Sequence, residues 1–533
     1  MNVTILLTVC LVYMGIMSWL AYYGYKKTTT ESDYLVGGRN IHPAVMALSY
    51  GATFISTSAI VGFGGVAATM GMGLLWLTFL NIVLGIFVAF AVFGTRIRKL
   101  SVKLNATTFP TLLGERYQSK MITVLSGAMI FLLMPAYTSI VLIGGGRFLQ
   151  ESLSLNFNLA LIILAAVIAV YVMTGGIKAV MYTDAFAAVV MLIGMAIFLF
   201  AAYDAVGGVI DGHKALTAMK DLVPQALVDQ GHQGWTSMPA AGSPLWWTMV
   251  STIIMGVGIG VLAQPQLAMR CMTVKDDKAL YRSVLVGGIF IFFMTGAAFV
   301  IGPLSNVYFY NTTGEIAISV AKGNVDLVIP ILITKMMPDW FIYLFTMTLL
   351  SAAISTISSL IHVQASAFGQ DILKTLGVHS LFGSKLNPSR IGVIIGMSAA
   401  VILAYLLPPG IIAQATAFWF GICAAGFLPA LIGALYWKNA TRKGAAASII
   451  TGFAASIFGF LFLHVKESAA IGLSQALFAK TALLPFPWTH VDPLFYALPL
   501  SAIVFIAVSL MDKSAKAERE WYEGMIQTAA SKK

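Results

Sequence analysis

Residues 50–65 read YGATFISTSAIVGFGG, and the way this stretch is read decides the fold. It is apolar enough for a bilayer, yet Ser, Thr and Gly interrupt it so densely that one continuous helix is a poor fit. Backbone that leaves the helix at membrane depth survives only when buried in protein or facing a cavity, because an unpaired peptide group in lipid is costly. Residues 251–266, STIIMGVGIGVLAQPQ, repeat the pattern with Gly256, Gly258, Gly260 and Pro265. A pair of such interrupted segments in corresponding positions of two halves points to a transporter site. The competing reading is two ordinary helices packed closely through glycine.

Composition supports a membrane setting. Of 533 residues, 59% are hydrophobic and only 10% charged, against roughly 25% charged in soluble proteins. That balance excludes a soluble enzyme, a disordered chain and a disulfide scaffold. Cys10, Cys271 and Cys423 stand alone, without a CxxC pair or a histidine at ligand spacing, and read as small buried apolar side chains. No GxxxxGK[ST] motif occurs, which argues against an ATP-driven pump.

A helix needs about 20 apolar residues to cross the hydrocarbon. Qualifying runs are 2–24, 42–70, 73–95, 121–147, 156–175, 179–205, 245–270, 282–308, 339–370, 391–408, 411–437, 444–464 and 492–511, thirteen in all. The first is no signal peptide, because its charges, Lys26 and Lys27, follow the apolar run. With the N-terminus outside and the C-terminus inside, 25 of the 32 Lys and Arg fall on the inside, including Lys385, Lys513, Lys532 and Lys533. The positive-inside rule requires that sign. The net charge of +11 is therefore a topology signal, not a nucleic-acid footprint.

The expectation is an all-α integral membrane protein with thirteen spans in the plasma (inner) membrane. An N-terminal helix and inner loop (1–41) precede a five-helix unit (42–205). An outer loop (206–244) leads to a second five-helix unit (245–437), two further helices (438–512) and an inner tail (513–533). Because each unit has an odd number of helices, the second is inverted relative to the first. Residues 106–118 read as a short amphipathic helix on the inner surface.

Two features carry chemistry. Asp184 is the acidic residue clearly inside a span, and a carboxylate there is a functional candidate by default. Its bland alternative is a structural partner for Lys178 or a nearby backbone group. The ninth span carries SAAISTISS at 351–359, and at 100° per residue Ala352, Ser355, Thr356 and Ser359 share one face. Hydroxyls with a backbone carbonyl suit a hard cation such as Na⁺; alternatively they bond their own helix or mediate packing.

Taken together, YLVGGRN before the second span, TFPTLLGERY on the inner surface, GGIKAVMYTD, QPQLAMR, SAAISTISS followed by DILK, and YWKNATRKG resemble the sodium:solute symporter family over nearly the whole chain. That family includes sodium/glucose, sodium/proline, sialic acid, pantothenate and monocarboxylate transporters. The resemblance implies a LeuT-type fold and sodium coupling. It places a principal Na⁺ site at Ala52, Ile55, Ala352, Ser355 and Thr356, and a second at Asp184, Ser355, Ser358 and Ser359. The pocket departs from two branches. Sugar transporters have polar side chains where this chain has Phe54, Ser58, Ala59, Ala136 and Ala417. Proline transporters have an acidic residue at the position of Phe54 and aromatics at Val257 and Val261. Candidate solute contacts are Ser56, Thr57, Ser58, Tyr137, Thr138, Gln264, Gln266 and Trp419. With no carboxylate to pair an ammonium group, the expected solute is a small organic anion. A sodium-coupled amino acid or sugar symporter is the alternative. A channel or uniporter would leave Asp184 and the hydroxyl face unexplained, and an embedded enzyme would need a clustered site that the seven scattered histidines do not supply. The expected partners are the solute, sodium and the bilayer, with no nucleic acid.

The alternating charge makes a direct forecast. In a background lacking the native cysteines, single cysteines at Thr28 and Ser514 should react with impermeant reagents only from the cytoplasmic face. Labelling of either from outside would refute the thirteen-span alternation.

Overall fold

The computed structural model describes residues 3–153, 155–378, 388–512 and 515–530. Lys385, Lys513, Ser514, Lys532 and Lys533 lie outside the described residues. Eleven described helices are long and apolar enough to cross a membrane, and a bent pair, Pro43–Phe54 with Ser58–Met70, makes up to 12. The difference from thirteen lies at 156–175. There the backbone stays helical through Phe157–Ala205, and the described apolar stretch is Phe157–Ala169. That long helix turns at Gly176, with φ 60° and ψ −179°. Glycine takes this conformation without strain, and a Cβ would meet the Tyr34 ring at 2.7 Å.

Burial sorts the spans. Asp339–Lys374 and Ile412–Tyr436 are 89% buried, whereas Thr4–Lys26 and Leu494–Met511 are 22% and 28% buried. The first two form the centre, and the outer spans present Leu11, Phe200 and Leu406 outward. The central Asp339–Ser366 packs on Phe157–Ala205, on Lys120–Leu153 and on Pro43–Phe54.

Both expected interruptions occur. Pro43–Phe54 starts with Pro at its first turn and ends at Ile55, whose ψ of 90° is extended. The chain resumes as a π-helical turn, Ser58–Gly62, then Phe63–Met70, bent by 54° from the first piece. In the second segment the π-helical Thr248–Gly256 runs through Val257–Gly260 and Val261–Ala263 to Gln264. Gln264 is extended, and Pro265–Cys271 follows. The two segments are tied where Ile41 N–H donates to Thr273 O at 3.1 Å.

The connecting segments cover the ends of the bundle. On one face, Trp235 from the 206–243 loop donates its indole N–H to Ala68 O at 2.8 Å. On the same end, the loop around Val325 presses on Phe63–Met70 so closely that a Cβ on Gly65 would lie 2.0 Å from Val325 O. On the opposite face, the surface helix Phe109–Arg116 is capped by Thr108, with Thr111 returning the bond. Thr108 Oγ1 also donates to Asp371 Oδ1 at 2.6 Å. The tail helix Ala515–Ala530 lies over this region: the Arg116 guanidinium sits 3.8 Å from the Tyr522 ring centre, and Arg442 pairs with Glu518 at 3.1 Å.

The Gly65 contact is open to test. Gly65→Ala should push the Val325 loop off the bent span, with an overpacking cost of about 1–3 kcal/mol, read as a lower unfolding temperature. Gly15→Ala, where a Cβ meets nothing within 4 Å, should leave that temperature unchanged or slightly raised.

Candidate functional site

The break at Ile55 frees backbone carbonyls of the preceding turn, and the intact helix opposite meets them. Ser355 Oγ donates to Ala52 O at 2.9 Å, and Thr356 Oγ1 donates to Thr53 O at 3.1 Å. Ser355 Oγ also lies 3.4 Å from Ala352 O, and Thr356 Oγ1 lies 3.4 Å from Ala52 O. Ala52, Ala352, Ser355 and Thr356 are thus brought together, all fully buried. Ile55 is the residue at which the helix ends. The donor set is entirely oxygen and carries no formal charge, which fits a hard monovalent cation and no soft metal.

Asp184 sits one helical layer away, in a different arrangement from either reading made of the sequence. Its Oδ2 accepts from Arg270 Nη2 at 2.9 Å, from Ser49 Oγ at 2.8 Å and from Thr53 Oγ1 at 3.3 Å. Arg270 spends its remaining donors on Ser49 Oγ (3.0 Å), Gln266 O (2.7 Å) and Ser359 Oγ (2.5 Å). Arg270 and Asp184 are 2% and 1% exposed, so this is a fully buried ion pair. It joins four elements: the first half of the bent span, the Asp184 span, Pro265–Cys271 and the serine-rich helix. Lys178 does not serve Asp184. It pairs with Asp33 and donates to Lys27 O at 2.9 Å, and that pairing, with the Thr29 and Thr30 donors, holds the Asp33 carboxyl below the usual range. Of the serines grouped with Asp184, Ser359 reaches the network through Arg270 and through Thr53 (3.0 Å). Ser358 Oγ instead donates to Ser355 O at 3.2 Å, within its own helix.

Beside the break lies a cavity of about 320 Å³ between atoms, whose free space admits about one water. Ser56 and Tyr137 line it, as do Phe54, Ala59 and Val257, the positions where the chain departs from the sugar and proline patterns. Tyr137 stacks near-parallel to Trp419, with ring centres 6.3 Å apart. Trp419 Nε1 donates to Gln264 Oε1 at 2.8 Å, and Gln266 Nε2 donates to the same oxygen at 3.1 Å. Trp419, Gln264 and Gln266 stand behind Tyr137 and outside the lining, and three further candidates turn elsewhere or stay apart. Thr57 Oγ1 donates to Val141 O at 2.7 Å, Thr138 accepts from Gln364 Nε2 at 2.8 Å, and the buried Ser58 hydroxyl has no partner among the described residues. The cavity also holds three polar residues that sequence reading missed: Asn81, Thr295 and Thr416. Among the described residues no charged side chain lines it.

The sodium:solute symporter family profile matches residues 34–452. The chain is 28% identical over 461 residues to the sodium/pantothenate symporter of Haemophilus influenzae, spanning 86% of this chain and 90% of that one. It is 29% identical over 488 residues to sodium/proline symporter 2 of Staphylococcus saprophyticus, 89% of each chain. Among solved structures, a substrate-bound, outward-open Na⁺-coupled sialic acid symporter superposes with a TM-score of 0.72 at 17% identity, covering 96% of this chain and 98% of that one. These relatives are transporters, not enzymes, and the resemblance drawn from the motifs is borne out. The chain belongs to the sodium:solute symporter family.

Proposed function

We propose that the protein is a plasma-membrane symporter that couples inward sodium movement to uptake of a small organic anion by alternating access. The observation that carries this reading is the meeting of Ser355 and Thr356 with Ala52 and Thr53 at the helix break, next to a cavity without charged side chains. The fold reading that goes with it is thirteen spans, N-terminus outside and C-terminus inside, with two inverted five-helix units led by the two broken segments.

In this reading Ala52, Ile55, Ala352, Ser355 and Thr356 hold the driving sodium. The hydroxyls that now donate to carbonyls would turn their oxygens toward the ion. Because Ile55 and Ser56 also line the cavity, ion and solute share one wall, and filling one site shapes the other. An anion would find the Asn81 amide, the Ser56 hydroxyl, the free N–H groups of the unwound turn and the nearby sodium charge. No acidic group waits for an ammonium. The solutes named for the pantothenate and proline relatives both carry a carboxylate, which supports a carboxylate-bearing solute over a sugar.

Asp184 is assigned a second sodium together with Ser355, Ser358 and Ser359, available only when Arg270 swings off the carboxylate. While the Arg270 pair is closed, a further cation beside it would meet a like charge.

Ser355→Ala and Thr356→Ala should each weaken sodium binding by about 1–3 kcal/mol, a tenfold loss or more. Sodium-dependent thermal stabilisation of purified protein reads this without knowledge of the solute; unchanged sodium dependence in both variants would refute the site. Uptake into proteoliposomes, compared for small carboxylates, proline and sugars, should favour a carboxylate, and proline as the preferred solute would overturn the anion assignment.

Asp184→Asn alone should strip Arg270 of its partner and cost about 3–5 kcal/mol of stability. The double variant Asp184→Asn with Arg270→Gln should recover much of the folded protein. If Asp184 also binds sodium, the double variant will show a sodium Hill coefficient near one and weaker dependence of uptake on membrane potential. An unchanged coefficient and potential dependence would reduce Asp184 to a structural partner of Arg270.

A further inference from the structure

Four buried polar atoms without a hydrogen-bond partner among the described residues gather at one place that the solute cavity does not touch: Thr252 Oγ1, His464 Nε2, Asp492 Oδ2 and Tyr496 OH. Three of the four residues, Thr252, His464 and Asp492, are 3% exposed or less. The pocket is built from several elements. Asp492 precedes the last span, Leu494–Met511, and its Oδ1 accepts the Leu494 N–H at 2.8 Å. Its own N–H donates to Ser251 Oγ at 3.0 Å, and Ser251 Oγ donates to Trp247 O at 2.6 Å, so the last span is fastened to the broken seventh one. Two glycines leave the room. A Cβ on Gly421 would sit 3.3 Å from Asp492 Oδ1, and one on Gly459 would sit 1.9 Å from the Tyr496 hydroxyl.

The charged and titratable neighbours are few. His464 Nδ1 meets Glu467 Oε2 beside the pocket, and Lys466 and His490 interact with that pair from the rim. Tyr496 comes from the helix that Asp492 starts. The broken span contributes hydroxyls only, Ser251 and Thr252, while Ile412–Tyr436 contributes Gly421 and Arg442–Phe462 contributes Gly459. Among the described residues no Lys or Arg pairs with Asp492.

We propose that this pocket is a proton-binding site on the face the topology places outside, with Asp492 as acceptor, and that its proton sets how firmly the last helix is seated on the broken seventh span. The proton joins Asp492 Oδ2 and gives it a hydrogen to donate to Tyr496 OH, which removes unmet hydrogen-bonding capacity at a single stroke. Without it, a second negative charge stands beside Glu467 in a buried place. Burial above all, with Glu467 adding to it, lifts the Asp492 carboxyl to about 7 against the opposing pull of the Leu494 N–H, His464 and Thr252. The sign follows. The folded carboxyl keeps its proton where an unfolded one has lost it, so the stabilisation is complete below about pH 4 and is lost as pH rises through about 7. The signal has a route to the transport site: the helical segment that carries Ser251 and Thr252 continues directly into Val257, which lines the solute cavity.

The site itself stands apart from the transport reading; its outward placement and its effect on uptake rest on it. Two arms therefore test it. In the first, the unfolding temperature of purified protein is followed from about pH 5.5 to 8.5. The native protein should lose stability across the neutral range, and Asp492→Asn, which keeps a hydrogen donor at every pH, should flatten that loss. Equal pH dependence in both would overturn the proposal. Should Asp492→Asn fail to fold, Thr252→Val removes one hydroxyl partner and should move the midpoint of the pH dependence upward; an unmoved midpoint overturns it equally. In the second arm, sodium-driven uptake into proteoliposomes is measured with the pH of each side set separately. Uptake should fall as the outer face is made alkaline, and Asp492→Asn should lose that response; a response to inner pH alone overturns the outward placement.

Discussion

Everything in this protein turns on one constraint: at membrane depth a peptide group that leaves the helix must find another partner inside the protein. The chain breaks its second span at Ile55 and answers the break with hydroxyls from a helix that stays whole. Ser355 and Thr356 accept this role because their helix is 89% buried and cannot offer those hydroxyls to anything but its neighbours. A cluster of oxygen atoms without formal charge results, and in the proposed reading its strength as a cation site comes from geometry, not from net charge. The cavity, the broken seventh span and the aromatic wall of Tyr137 and Trp419 are arranged around that meeting point.

The Arg270–Asp184 pair is the second organising contact, and its character differs. Two charges withdrawn from water gain little over a well-packed apolar pair, but each is ruinous without the other. Arg270 reduces the penalty by using every side of its guanidinium, on a carboxylate, two hydroxyls and a peptide carbonyl. Moving the guanidinium would release Asp184, Ser359 and Ser49 together, so the four elements it joins change partners as a set.

Some of this was legible in the amino-acid sequence, for physical reasons. The breaks could be read because Gly, Pro and clustered hydroxyls act on their own local backbone. The shared face of Ser355, Thr356 and Ser359 followed from helical spacing alone. The partner of Asp184 did not. Lys178 is six residues away and was the natural guess, whereas Arg270 is 86 residues away and sits at the end of a span, where a basic residue ordinarily reports topology. Its place in an apolar run with Gln264 and Gln266 was the available signal. Asn81, Thr295 and Thr416 were missed because each is a single polar residue on its own span, and only packing brings them to one cavity. The bonds of Thr57 to Val141 O and of Thr138 to Gln364 could not be read from the sequence, because they depend on which way each side chain turns.

The smallness of the cavity bears on pharmacology. A space that admits about one water cannot enclose even a modest carboxylate until Tyr137, Phe54 and their neighbours move aside. If the solute binds here as proposed, its room is created during the cycle, and molecular bulk becomes a criterion separate from polarity. A molecule that matches the polar contacts but overfills the created space would enter from one side and prevent closure behind it. It would act as a wedge, an inhibitor that is never carried across.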